Sequence, residues 1–478
     1  MPTWLRYTLL LLACIATRCL TAIFYIEDID SLRFALAASD FSVAELRPHF
    51  PGYPLYCFFL QLVFAVTGSV GISFGILGGL AIFLILVGAE KIWRLLGGSA
   101  AWLLLALLFC NPLLWLMSNR YMPDIMGLAL VVLGTFYLLK AFQHRDFKNA
   151  LWFCVAVGLL AGIRLSYVPF FLPAILLLGY FPAKIPQLAL VTLLSIAIWF
   201  IPFWLDTGWE PLMNSATAQT KGHFNEWGGG VTSNDSGYFL RFERTIESIW
   251  ADGLGGFWEY RHSSTLVLSI FWWLTMGAGI TVFIQKKLYQ KRLYQLLFAC
   301  VAIYMLWAFF FQNIMYKPRH IMPVLPWLTM LAVGGFGWLW SRYRQWGIGF
   351  AEVWLIVVVT VTGVLVWQHR ERAAISQLAQ WLSKKNKSEM VIQADELRHF
   401  YFSSHAKLKD ASYLIGRDST MANQHLEAGK TLYCIHRLDK ELGQAPSETL
   451  FFDHNPYVNR LWSRVAVHIY RKDDGNGG

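Results

Sequence analysis

The 478-residue sequence predicts a polytopic α-helical membrane protein with a small α/β domain at its C-terminal end. Three observations carry that prediction. Hydrophobic residues make up 56% of the chain and charged residues 15%, against about 25% charged in an ordinary soluble domain. Apolar runs of helical, bilayer-crossing length recur as far as Trp367, and the run 99–117 holds no charge at all. Beyond Trp367 the texture changes to short β-branched runs separated by polar, helix-like stretches. Together these exclude a purely soluble enzyme, a nucleic-acid-binding protein and a disordered chain.

In chain order, the candidate spans are 4–25, 70–89, 99–117, 125–139, 150–167, 168–181, 187–205, 263–284, 293–311, 321–340 and 348–367. The first has no small-residue cleavage site and is expected as a retained helix. One further apolar segment, 52–67, decides the threading. If it does not cross, Arg6, Lys91, Arg94, Lys140, Arg145, Lys148, Lys184, Lys286, Lys287, Lys291, Arg292, Arg342 and Arg344 fall on one side. Loop Lys and Arg mark the cytoplasmic side. The segment is therefore expected as a re-entrant or juxtamembrane helix, giving about 11 transmembrane helices with the N-terminus cytoplasmic.

Three polar units then face outward: the loop 26–51, the long loop 206–262, and everything after Trp367. Residues 1–367 are expected as the transmembrane domain and 368–478 as an extracytoplasmic α/β domain. Strand-like runs stand at 390–394, 431–436 and 465–470, and the final stretch 473–478 reads as disordered. The long loop is rich in Gly, Trp and Asn, as in Trp227-Gly-Gly-Gly230. The threading also absorbs the net charge of +10, because the cytoplasmic segments hold 13 Lys and Arg against Glu90, Asp146 and Glu352. What looked like a basic protein is a topology signal around a slightly acidic outer face. The seven cysteines have no clustered spacing, which argues for buried small hydrophobes rather than disulfides or zinc.

The outer carboxylates are where chemistry is expected. The first loop opens Tyr25-Ile-Glu27-Asp28-Ile-Asp30-Ser-Leu-Arg33. Three acids beside a membrane helix are costly without a role. They read either as a general base, its proton affinity raised by its neighbours, or as a solvated helix end. The loop closes with Arg47-Pro-His49-Phe-Pro-Gly-Tyr53-Pro-Leu-Tyr56, where His49 and Tyr53 offer polar groups at membrane depth or anchor the interface. A second outer turn, Ser118-Asn119-Arg120-Tyr-Met-Pro123-Asp124, adds another acid and a guanidinium.

Arg164 near a helix end and Lys317-Pro-Arg319-His320 at the start of another supply cations suited to a phosphate, or else snorkel to the interface. Lys221, His223, Arg241 and Arg244 in the long loop are further candidates, and Arg18 is expected to face the bundle interior. Asn234-Asp-Ser236 and Asn386-Lys-Ser388 match the glycosylation acceptor pattern. No Walker loop, Rossmann glycine pattern, HExxH or paired CxxC occurs.

The ordered set Asp30-Ser-Leu-Arg33, His49-Phe-Pro-Gly-Tyr-Pro-Leu-Tyr56, Asn119-Arg120-Tyr-Met-Pro-Asp124 and Arg319-His-Ile-Met-Pro-Val-Leu-Pro326 resembles the glycosyltransferase C (GT-C) superfamily. Protein O-mannosyltransferases and the lipid A aminoarabinose transferase are among its members. The resemblance implies transfer of a sugar from a polyprenyl-phosphate donor to an extracytoplasmic acceptor, usually with inversion. It implies Asp30 as the general base, with Glu27 and Asp28 competing for that register. Asp124 matches the second acidic position, where some members hold a divalent metal, which makes Asp30 and Asp124 the candidate metal ligands. His49, Tyr53, Arg120, Arg164, Arg319 and His320 would bind substrate. The main alternative is a transporter or flippase of a lipid-linked saccharide, disfavoured because no paired repeat or midplane site is visible. A scaffold acting through the tail is the third reading.

Overall fold

The computed structural model describes residues 2–226, 230–231 and 237–472. Most of the Trp227–Gly230 stretch, the Asn234 acceptor pattern and the 473–478 tail lie outside the described residues. The chain divides into two compact units, Met1–Ile23 with Arg33–Trp367, and Phe24–Leu32 with Gln368–Gly478.

The first unit is a helical bundle of an integral membrane protein. Among the described residues, nine helices are long and apolar enough to cross a bilayer, or ten if one bent pair counts as a single span. That pair covers the expected span 99–117 and is bent within it. Ala101–Phe109 and Pro112–Asn119 meet at 50°, because Pro112 has no N–H to continue the ladder. The Asn111 side chain instead caps the second helix, accepting from the Leu114 N–H at 3.0 Å.

Residues 147–180 form one continuous helical run of two kinds, α over Phe147–Arg164 and 3₁₀ over Leu165–Tyr180. The run folds back on itself. Arg164 breaks it at φ −152°, the Phe171 ring meets Phe153 edge to face at 5.1 Å, and Phe181 returns to within 5.6 Å of Phe147. At a 3₁₀ rise of about 2 Å per residue the second leg reaches about 30 Å, the thickness of the hydrocarbon core.

The helix Pro54–Thr67 stays at one end of the bundle. At 14 residues it is about 21 Å long, too short to cross. It starts at Tyr53, bonded to Arg164, and ends one short turn before Val70–Leu95, whose far end is tied to the N-terminal helix by Arg6 and Glu90 at 2.6 Å. Elsewhere the helices approach as closely as missing side chains allow. A Cβ on Gly335 would lie 2.0 Å from the Thr275 carbonyl oxygen, so Thr265–Gln285 and Leu325–Arg342 cross backbone to backbone.

The loops 26–51 and 206–262 hold more secondary structure than expected. The first holds the helix Ile29–Ala37, and the second holds Trp209–Lys221 and Gly237–Glu247.

The second unit carries a five-stranded sheet of β1 (Met390–Ala394), β2 (Ser412–Ile415), β3 (Thr431–Cys434), β4 (Glu448–Asp453) and β5 (Arg464–Tyr470), in the order β2-β1-β3-β5-β4. The first three are parallel and the last two antiparallel. Helices Glu396–Ser403 and Ser419–Glu427 connect the parallel strands, each opened by an aspartate cap, Asp395 and Asp418. Val391, Leu414, Leu432, Cys434 and Tyr470 build its core. Strands β2 and β4 escaped sequence reading because neither carries a regular alternation, and β2 spans only four residues.

Candidate active site

In the first unit the predicted cations and one predicted acid converge. Asp124, the first residue of the helix Asp124–His144, is fully buried. Its Oδ1 lies 2.8 Å from Arg164 Nη2 and 3.5 Å from Arg319 Nε. Arg164 Nη1 also donates to the Tyr53 hydroxyl at 3.0 Å, and that hydroxyl lies 3.3 Å from His49 Nε2. The guanidinium is sandwiched by the rings of Tyr53 and Tyr167, 5.5 and 5.6 Å from their centroids. Gly127, one turn past Asp124, makes room for the arginine stem, since a Cβ there would stand 2.6 Å from Arg164 Cβ.

Two tyrosines that the sequence did not single out complete the frame. Tyr167 donates to the Arg319 carbonyl at 3.2 Å and Tyr304 to the His320 carbonyl at 2.7 Å, their rings packed edge to face at 5.7 Å. They fix the Pro318–Val324 turn that presents Arg319 and His320. Each sits within an apolar run, where a lone tyrosine is an available signal of a polar partner. Arg120 lies in the buried turn before Asp124, its Nη1 3.9 Å from the Met117 sulfur.

The pairing bears on the expected metal role of Asp124. A carboxylate already neutralised by two guanidiniums is a poor ligand for a divalent cation. No cluster of three or more His, Cys, Asp or Glu suited to a metal occurs among the described residues. Two guanidiniums from separate elements meet at this one buried aspartate, and arginine is the side chain best suited to hold a phosphate.

Beside this cluster lies an apolar cavity of about 1130 Å³. Leu55, Phe58, Leu77, Met126, Ile163 and Trp199 are among the residues lining it. Met126 and Ile163 stand close to Asp124 and Arg164 in sequence, so the apolar space shares one helix with Asp124 and another with Arg164.

The three acids of the first loop belong to the second unit and have different jobs. Asp28 caps the helix Ile29–Ala37, its Oδ1 accepting from the Ser31 N–H at 2.8 Å. Glu27 pairs with His369 Nε2 at 2.8 Å, both side chains buried. Asp30 occupies the first helical turn and is also buried. His369 was not foreseen, because nothing local links it to Glu27 across 342 residues.

The long-loop candidates serve local structure instead. His223 Nε2 lies 2.7 Å from the Phe311 carbonyl, Arg241 donates to the carbonyls of Phe309 and Gln312, Arg244 pairs with Glu247, and Lys221 pairs with Glu226. Arg18 does face the interior, stacked on Trp115 at 3.8 Å and donating to the Phe109 carbonyl.

No family model and no curated protein matches the sequence. Solved structures do match. ArnT from Cupriavidus metallidurans bound to undecaprenyl phosphate superposes with a TM-score of 0.55 at 11% identity, covering 97% of each chain. Its apo state gives 0.51 at 12% identity over 98% of each. ArnT is a lipid A aminoarabinose transferase of the GT-C superfamily, and at this identity the likeness is one of architecture. The chain therefore has an ArnT-like fold.

Proposed function

We propose that the protein is a membrane glycosyltransferase that moves a sugar from a polyprenyl-phosphate donor to an acceptor outside the cytoplasm, with inversion at the anomeric carbon. The observation that carries this reading is the Asp124-anchored arginine pair beside a long apolar cavity. A polyprenyl phosphate asks for that combination of an anion site and a greasy groove at one place. The matching ArnT structure has undecaprenyl phosphate bound, which supports the same ligand class here.

In this mechanism the lipid tail occupies the cavity and Arg164 and Arg319 hold the phosphate. Asp30 accepts the proton of the acceptor hydroxyl as its oxygen attacks the anomeric carbon. The bond from that carbon to the phosphate oxygen breaks, and the lipid phosphate leaves with the electron pair, its charge met by the arginines. Tyr53 and His49 orient Arg164 from one side, and Tyr167 carries the Arg319 backbone from the other. Asp124 keeps both guanidiniums in place. No step is routed through a metal.

This reading takes eleven crossings, with the hairpin legs 147–164 and 165–181 counted separately, and a cytoplasmic N-terminus, which the side of the Lys- and Arg-rich loops supports. The Asp124 site and the C-terminal unit then face outward. Nucleotide sugars are cytoplasmic, so an outward site calls for a lipid-linked donor. The test is mass spectrometry of envelope glycans from cells lacking the gene, complemented with wild type or Asp30→Asn. A glycan that returns with wild type alone supports the reading. Equal return with the variant removes Asp30 from the mechanism.

A further inference from the structure

The segment leading to Asp30 has no secondary structure of its own between Leu20 and Ile29. Its geometry is set by bonds to residues more than 340 positions away. The Tyr25 hydroxyl donates to the His369 carbonyl at 2.8 Å. The Tyr401 hydroxyl donates to the Ile26 carbonyl at 2.8 Å, and Asn459 Nδ2 donates to the Glu27 carbonyl at 3.2 Å. His369 Nε2 meets Glu27 Oε1 at 2.8 Å. All five of these side chains are buried. Tyr401 is itself wedged edge-on against Trp462, ring centroids 5.7 Å apart.

Consecutive residues are thus gripped one by one, and Asp28 then starts the helix that carries Asp30. Two of the grips take main-chain carbonyls, so they fix the path of the backbone rather than recognise a side chain. Residues 24–32 accordingly group with 368–478 and not with the helices that precede and follow them in sequence.

We propose that the C-terminal unit is a positioning device for the Asp30 segment, with His369, Tyr401 and Asn459 as its positioning residues. This rests on the reading of Asp30 as the base. Four buried hydrogen bonds on three residues are more than a tether requires. They suit a group that must stand within a fraction of an ångström of an acceptor hydroxyl, because a misplacement of about 1 Å costs about 100-fold in rate. The unit need not touch donor or acceptor to be indispensable.

The experiment uses the full chain in lipid nanodiscs, with two readouts. Hydrogen exchange reports the amides of residues 24–32. Transfer is followed with a membrane extract of cells lacking the gene as the source of both substrates. His369→Ala and Tyr401→Phe are expected to speed exchange in 24–32 while leaving strand β3 protected. They are expected to lower kcat by about 10- to 100-fold with the half-saturating amount of extract unchanged. His369→Gln, whose amide N–H donates from nearly the position of Nε2, is expected to restore both. Should His369→Ala unfold the unit, seen as exchange rising through β3, the Tyr401→Phe and His369→Gln pair carries the same test.

Unchanged exchange in 24–32 for Tyr401→Phe and His369→Ala overturns the clamp. Faster exchange with undiminished kcat overturns positioning as its purpose. Asp30→Asn is assayed alongside. If that variant retains transfer, the base reading fails while the clamp is still read by exchange alone.

Discussion

Replacing Asp124 by Asn tests the arginine-pair site most sharply. The wild-type carboxylate faces Arg164 at 2.8 Å and Arg319 at 3.5 Å with no exposure to solvent. At an effective dielectric of about 20, each contact is worth about 5 kcal/mol before desolvation. Taking each ion out of water costs several kcal/mol, so the assembled triad contributes little net stability. Breaking it is another matter, because the variant leaves two buried guanidiniums without their counter-ion. The expected loss is about 3 to 5 kcal/mol. It is read as a shift in the detergent-denaturation midpoint of the full chain in mixed micelles.

Arg164→Gln is expected to cost a similar amount, and the double variant at least about 1 kcal/mol less than the sum, since the charges are lost together. Chelation with EDTA is expected to change none of these values. A loss below about 1 kcal/mol for Asp124→Asn, or strict additivity in the cycle, would refute the triad. A stabilising effect of added divalent metal that depends on Asp124 would favour a metal there over the arginine triad.

Three further outcomes follow from the same geometry. Gly127→Ala drives a methyl into the Arg164 stem; it is expected to destabilise by about 1 to 3 kcal/mol and to weaken capture of a photoreactive polyprenyl phosphate, measured by crosslinking yield. Asp28→Ser preserves a cap for the Ser31 N–H and is expected to keep transfer near wild type. Asp28→Ala is expected to cost about 1 kcal/mol, and loss of activity in the Ser variant at normal stability would make Asp28 the base. In the C-terminal unit, burial holds His405, His454 and His468 below the ordinary value of 6.5. An unfolded chain therefore binds more protons than the folded unit in acid, so stability is full above pH 6.5 and falls as the pH drops below it. Thermal unfolding of the full chain in nanodiscs should show a transition that moves down on acidification, and a flat profile between pH about 7 and about 5 contradicts this.

The parts of the fold legible in the sequence were those written in local composition. Apolar length gave the spans, and the loop cations gave a threading in which 52–67 does not cross, in keeping with the short helix Pro54–Thr67. Asp124, Arg164, Arg319, His49 and Tyr53 were legible individually, as polar groups too expensive to keep at membrane depth without partners. Their mutual distances were not. Arg164 and Arg319 lie far apart along the chain, and no periodicity connects them.

The first-loop acids show the limit most clearly. Glu27, Asp28 and Asp30 look equivalent as letters, yet a cap hydrogen bond claims Asp28 and a histidine at the end of a distant helix pairs with Glu27. Only tertiary structure separates them. Likewise the 50° break lies at Asn111-Pro112, within a run read as a single span, whereas the fold-back at Arg164 falls near the boundary read between the spans 150–167 and 168–181.

The most direct test of the account follows the donor itself. Purified protein in proteoliposomes is supplied with the membrane extract of cells lacking the gene, and free polyprenyl phosphate is quantified by mass spectrometry over time. Wild type is predicted to release it together with a glycosylated acceptor of matching mass. Asp30→Asn is predicted to release neither while binding the lipid normally. Equal release by the two proteins, or movement of an intact lipid-linked saccharide across the bilayer without any release, would contradict the central claim.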